Sequence, residues 1–224
     1  MREFHPLELG VIKEHIERHA GSHDVFMDLV GEITDRSSAG YRLVEKAAIS
    51  ITEDFRDVRR HTGEKYEVHQ RSVAVIDMIY CGNRDHRDIC ADLMHDTPED
   101  VPEVTFADVS AAYGKKVAHD VKGVTKPPLP LQGGLSSAEY DEVCSQIIFK
   151  HVRDFGEGSI RLKCRDRLHN MLTLWGDSDK KLRKIRETIQ YMLPLSIRAD
   201  YLWKELTLAT AEQLERLHID DTKR

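Results

Sequence analysis

The chain of 224 residues is short of several things, and each shortage excludes a class of protein. It has no run of about 18 apolar residues, so nothing in it reads as a membrane-spanning helix. The opening MREFHPLELG lacks the apolar core of a secretory signal. Only four cysteines occur, Cys81, Cys90, Cys144 and Cys164, with no CxxC spacing among them. They predict reduced, mostly buried thiols of a cytoplasmic protein, not a disulfide framework or a zinc cage. Positive charge is outweighed: the formal net charge is -6, against the basic surface on which general nucleic-acid binding rests. Runs of alternating polar and apolar residues are missing as well, and no internal repeat is visible.

What is present is helical periodicity. Val25, Phe26, Leu29, Val30 and Ile33 recur at helix spacing, as do Leu43, Val44, Ala47, Ala48, Ile51 and Phe55. The stretch 60–66 interrupts them, with Gly63 as the turn residue. Val73, Ile76, Ile79 and Tyr80 make a further stripe that ends near Gly82, and Ile89, Cys90, Leu93 and Met94 the next. Thr97-Pro98 disturbs that last helix, because the residue before a proline is driven from helical geometry. Thr105 with Asp108, and Ser136 with Glu139, have the spacing of capping boxes, and Gly114 stands where a helix stops.

PPLPLQGG, residues 127–134, reads as a loop. A helix over Tyr140 to Phe155 follows, and another resumes near Ser159 after Gly156 and Gly158. A long helix starts near Asp179, with Leu182, Ile185, Ile189, Met192 and Leu193 on one side and a kink at Pro194. Thr210 is placed to cap a short terminal helix. The expected fold is all-α: a multi-helix domain over 41–205, an added helical segment over 1–40, and a terminal helix and tail over 206–224.

Twelve histidines make their placement worth reading. His95-Asp96 lies at the end of an apolar helix anchored by Leu93 and Met94, where core meets cleft. It offers one nitrogen and one oxygen donor to a divalent cation. His69 upstream and Asp166 downstream complete a mixed N/O set that suits Mn²⁺ or Fe²⁺ and tolerates Zn²⁺. Such a cation acidifies water and polarises phosphorus. Glu99 and Asp100, just beyond the pair, are the acid–base candidates. Each residue has a plainer reading: a hydrogen-bonded core histidine for His69, a salt-bridged helix face for Asp166 among Lys163, Arg165 and Arg167, a solvated turn for Glu99-Asp100.

The order of these blocks resembles the HD phosphohydrolase superfamily, and within it the hydrolase domain of RelA/SpoT proteins. Arg60, Gly63, Glu64, Tyr66 and His69 match that family's Arg–x–x–Gly–Glu–x–Tyr stretch and its first histidine. His95-Asp96-Thr97-Pro98-Glu99-Asp100 matches its His-Asp motif and acidic tail. KCRDRLHNMLTL, from Lys163 through Asp166, Asn170 and Thr173 to Leu174, matches a third block. Glu187, Thr188, Ile189, Tyr191, Pro194 and Leu195 match a fourth, and YGKKVAHDVKGVTK falls between. The likeness covers about residues 41–200.

The resemblance implies an Mn²⁺-dependent hydrolase that removes the 3′-pyrophosphate of guanosine 3′,5′-bis(diphosphate) to leave GDP or GTP. It makes His69, His95, Asp96 and Asp166 the metal ligands and Glu99 and Asp100 the catalytic pair. The Arg60, His61, Thr62 turn, with Asn170 and Thr173, is the substrate side, Arg60 stacking on guanine as a planar guanidinium can. Asn170 as a packing amide and Arg60 as a surface arginine are the alternatives.

Departures fall mainly on that same side: His61 where Lys or Arg is usual, Leu172 for Arg, Arg165 for Ala, Gln70 for Pro, and the proline-rich loop. The chain has no room for the synthetase and regulatory domains of the long family members. It therefore resembles a small, cytoplasmic alarmone hydrolase, acting alone, as a homo-oligomer, or beside a small alarmone synthetase. Another HD nucleotide phosphohydrolase, acting on nucleoside monophosphates, dNTPs or NADPH, and a non-catalytic alarmone binder are the rival expectations.

Overall fold

A computed structural model describes residues 7–60 and 63–222. Among them every regular element is helical, and the one extended feature is an isolated antiparallel bridge between Arg59 and Lys65. The all-α expectation is met. The chain divides into two compact units, residues 1–122 and 123–224. No helix of the described residues is long and apolar enough to cross a membrane.

The first unit contains α1 (Leu7–His19), α2 (His23–Ile33), α3 (Ala39–Asp54), α4 (Tyr66–Val75), α5 (His86–Met94), α6 (Thr97–Asp100) and α7 (Phe106–Tyr113). Helix α8 (Lys115–Val124) runs to the end of the unit and two residues beyond. Its core is the product of the stripes read above. Phe26, Val30, Val44, Ala47, Ala48, Ile51, Phe55, Val73, Ile89 and Leu93 are all buried, and α5 packs against both α3 and α4. At roughly 1.5–3 kcal/mol for each large apolar side chain removed from water, this burial fixes the relative placement of α3, α4 and α5.

Two locking contacts are polar. Arg71 on α4 is buried, reaches Glu67 at 3.6 Å and donates Nε–H to the Ala20 carbonyl at 2.8 Å just past α1. The hydroxyls of Ser50 and Tyr113 meet at 2.8 Å, tying α3 to α7. Thr105 and Asp108 form the expected capping box, and Gly114 closes α7 with φ of 97°.

The second unit contains α9 (Ser137–Phe155), α10 (Glu157–Leu172), α11 (Ser178–Glu187), α12 (Leu193–Arg198) and α13 (Trp203–Thr222). Helix α10 is its centre and packs on α9, α12 and α13. It is buried on most sides, and so carries Arg165, Asp166, Arg167 and His169 into the interior beside Leu162, Leu168 and Met171. Those charges are matched: Arg167 meets Glu187 at 3.0 Å, and Lys184 reaches the same carboxylate at 2.9 Å. Ser136 and Glu139 cap α9 reciprocally, as expected, and 125–136 is the loop.

Five local expectations are corrected. Helix α10 begins at Glu157, two residues before Ser159, because Gly156 at φ 94° makes the break by itself. Thr210 caps nothing; it lies within α13, and its hydroxyl donates to the Leu206 carbonyl at 2.6 Å. Ile189 is 47% exposed rather than in the core stripe. Thr188–Met192 forms a π-helical turn ahead of Pro194, and its wider turn shifts the phase so that Ile185, Thr188, Met192 and Leu195 face inward. A second π turn, Ile76–Tyr80, follows α4 and leaves Met78 buried where Ile79 and Tyr80 were expected. Finally, Thr97 is helical despite preceding Pro98: α6 starts there, and the first turn of a helix needs no N–H from its proline.

Candidate metal centre

The site is assembled from α4, α5 and the single turn that follows α5. Helix α4 places His69 in its first turns, buried. Helix α5 ends at Met94, so His95 is its C-cap and Asp96 the N-cap of α6. Leu93 and Met94 are fully packed, which pins that end against the core. His69, His95 and Asp96 each offer a donor atom, and the three lie within 4.8 Å of one another. The Asp96 Oδ2 is 3.1 Å from His95 Nε2 and 3.5 Å from His69 Nε2. The two imidazoles meet edge-on, with centroids 5.1 Å apart and planes at 69°.

These separations fit a metal. Two ligands at about 2.1 Å from one cation stand roughly 3–4 Å apart. The tautomer fits as well. His95 Nδ1 lies 2.8 Å from the Asp92 carbonyl, which only accepts, so Nδ1 carries a proton and Nε2 is the ring atom turned toward Asp96, the one a cation would take. With two imidazoles and a carboxylate and no thiolate, the donor set suits a borderline to hard divalent ion. Cys90, buried on α5, has its thiol pushed up to about 12, by burial first and then by Asp92 and Asp85, and stays protonated.

Tyr66, the first residue of α4, is a site residue that sequence reading passed over as a motif letter. Its ring stacks on Phe55 at 4.7 Å and 11°. Its hydroxyl lies 2.7 Å from Asp100 Oδ2 and 3.2 Å from Asp96 Oδ2. Burial first, then the Asp96 and Asp100 charges, push the phenol well above its ordinary range, so it remains a donor. Its partners stand 30 and 34 positions away, and no local spacing announces them.

Asp100 is exposed and Glu99 half-buried, both on α6, whose N–H groups return to the Asp96 carbonyl at 3.1 and 3.0 Å. Arg60 is half-buried in a tight turn: its N–H donates to the Glu64 carbonyl at 2.8 Å, and its carbonyl accepts from Gly63 at 2.8 Å. His61 and Thr62 lie outside the described residues. The remaining candidates belong to the second unit. On α10 the Asp166 carboxylate accepts from Lys163 at 2.8 Å and from Asn170 at 2.5 Å. Thr173 caps the helix and donates its hydroxyl to the His169 carbonyl at 2.9 Å.

No family model matches the chain. Named proteins do. The guanosine-3′,5′-bis(diphosphate) 3′-pyrophosphohydrolase of Aquifex aeolicus is 32% identical over 158 residues, 69% of this chain and 21% of that protein. The bifunctional (p)ppGpp synthase/hydrolase SpoT of Escherichia coli is 34% identical over 140 residues, 62% of this chain and 19% of that protein. The chain thus spans about a fifth of the length of these curated relatives. Among solved structures, one titled "A metazoan ortholog of SpoT hydrolyzes ppGpp and plays a role in starvation responses" superposes with a TM-score of 0.54. That match covers 75% of this chain and 95% of the other at 19% identity, a likeness of fold. Over 62–69% of its length the chain is thus similar to the RelA/SpoT-type proteins named for hydrolysis of guanosine 3′,5′-bis(diphosphate), and its His69, His95 and Asp96 cluster lies within that likeness of fold.

Proposed function

We propose that the chain is a metal-dependent phosphohydrolase that removes the 3′-pyrophosphate from guanosine 3′,5′-bis(diphosphate), leaving GDP or GTP. The convergence of His69, His95 and Asp96 beside the Tyr66–Asp100 hydrogen bond carries the hydrolase reading. The names of the Aquifex and Escherichia relatives supply the substrate. Asp166 is the proposed fourth ligand, on the strength of its place in the KCRDRLHNM block. The cation is taken to be Mn²⁺, consistent with a thiolate-free N/O set.

A bound divalent cation would supply Lewis-acid chemistry there, acidifying water and drawing charge from phosphoryl oxygens. The protein does the rest. Asp100 takes a proton from the attacking water, and Glu99 delivers one to the leaving 3′ oxygen. Arg60 stacks on the guanine, held in place by its tight turn. His61 and Thr62 are proposed as substrate residues on the sequence alone. Asn170 and Thr173 contact the ribose and its phosphates. The hydrolase domain proposed here covers 41–205, in the cytoplasm, as a homo-oligomer or beside a small alarmone synthetase.

The test is product analysis. Purified chain with Mn²⁺ is expected to release pyrophosphate from guanosine 3′,5′-bis(diphosphate), with GDP as co-product. Release of orthophosphate from a nucleoside monophosphate or NADPH, with the bis-diphosphate untouched, assigns it to another HD phosphohydrolase. Tight binding of the bis-diphosphate without product makes it a non-catalytic binder.

A further inference from the structure

Tyr66 is placed to do more than fill space. Its ring is held against Phe55, itself fully buried, by near-parallel stacking at 4.7 Å. That contact and its start on α4 fix where the hydroxyl sits. The hydroxyl has one proton and faces two carboxylate oxygens: Asp100 Oδ2 at 2.7 Å and Asp96 Oδ2 at 3.2 Å. The Asp96 oxygen is the same atom that stands 3.1 Å from His95 Nε2 and 3.5 Å from His69 Nε2.

Asp96 and Asp100 are the two ends of one helical turn, joined through the Asp100 N–H and the Asp96 carbonyl at 3.0 Å. The backbone links the ends on one side, and the phenol of α4 links the two side chains on the other. Asp100 is exposed, and a carboxylate that must meet a water in one geometry gains from being tied to a rigid element.

We infer that Tyr66 is a positioning residue that ties the metal-ligand carboxylate of Asp96 to the acid–base carboxylate of Asp100, so that the two are oriented together. The inference rests on the hydrolase reading for the role of Asp100. Its Asp96 half concerns metal affinity and stands without that reading. Tyr66 acts through the two aspartates that its hydroxyl meets.

Tyr66→Phe deletes one oxygen and keeps the ring. Three quantities are read on the full chain: the melting temperature without metal, Mn²⁺ affinity by calorimetry, and steady-state turnover of guanosine 3′,5′-bis(diphosphate) at saturating Mn²⁺. The expected result is a melting temperature within a few degrees of the parent and Mn²⁺ affinity weaker by about 10- to 100-fold. A kcat lower by about 10- to 100-fold, with KM within about threefold, is expected beside it. In an Asp100→Asn background the same substitution is expected to weaken Mn²⁺ binding again but to lower kcat by less than about threefold, because the tether to Asp100 has lost its object.

Unchanged Mn²⁺ affinity and unchanged kcat in Tyr66→Phe overturn the inference. So does an equal kcat loss in both backgrounds, and so does a collapse of the melting temperature that accounts for the losses. If the parent turns over no bis-diphosphate, the function reading fails while the Mn²⁺ arm still decides whether Tyr66 orients Asp96.

Discussion

The imidazole of His95 donates its Nδ1–H to the main-chain carbonyl of Asp92, 2.8 Å away and three residues back on the helix that it ends. A helix's last carbonyls have no partner within the helix, and here one of them sets the tautomer of a metal-ligand candidate. Position 95 therefore supplies both an end cap and an Nε2 atom turned toward the Asp96 carboxylate 3.1 Å away.

His95→Ala removes that donor, and Asp96→Ala removes the oxygen shared by the cluster. Each is expected to abolish Mn²⁺ retention through gel filtration and to abolish turnover. Full metal content in either variant, measured by elemental analysis, contradicts the ligand assignment.

Glu99 lies on the turn beyond the ligands and is proposed for proton transfer, not for ligation. Glu99→Ala is expected to keep its Mn²⁺ and to lower kcat by roughly 10² or more. Metal content and kcat measured on one preparation separate the two roles; loss of metal, or an unaltered rate, rejects this assignment.

The second unit carries an acid-sensitive lock. Burial would raise the Glu187 carboxyl, but Arg167 and Lys184 overcome it and hold the group at about 2, against an ordinary 4.5. A carboxylate depressed on folding stabilises the protein above its unfolded pKa, and that stabilisation is lost as pH falls through the folded one. The contribution is at most roughly 3 kcal/mol. Urea midpoints are expected to fall between about pH 4.5 and pH 2, and Glu187→Gln is expected to flatten that part of the curve. An identical pH profile in the variant contradicts the lock.

None of the four cysteines forms a disulfide; Cys90, Cys144 and Cys164 are buried and Cys81 half-exposed. Under native conditions a maleimide is expected to label Cys81 fast and Cys90 only on unfolding, which peptide mass spectrometry reads directly. Equal labelling of both contradicts the burial.

Much of this was legible in the sequence because it is local. The Thr105/Asp108 and Ser136/Glu139 spacings give the caps directly, since each box closes within four residues. His69 and His95-Asp96 were readable as ligand candidates because helix periodicity puts them where packed core ends. What escaped was non-local or out of period. The π turns at Ile76–Tyr80 and Thr188–Met192 alter the helical phase, so stripes counted at 3.6 residues misplace Ile189. Tyr66 meets Asp96 and Asp100 only after α4 and α5 have packed, which no spacing within α4 reveals. Nor did composition mark the division after Lys122, which falls inside a continuous helix.

In the proposed reaction these side chains direct a water onto the phosphorus that bears the 3′ oxygen. Turnover of guanosine 3′,5′-bis(diphosphate) with Mn²⁺ in ¹⁸O-water, followed by mass spectrometry, reads where that oxygen goes. One ¹⁸O is expected in the pyrophosphate and none in the GDP. Label in the nucleoside product, or no pyrophosphate at all, contradicts that reaction.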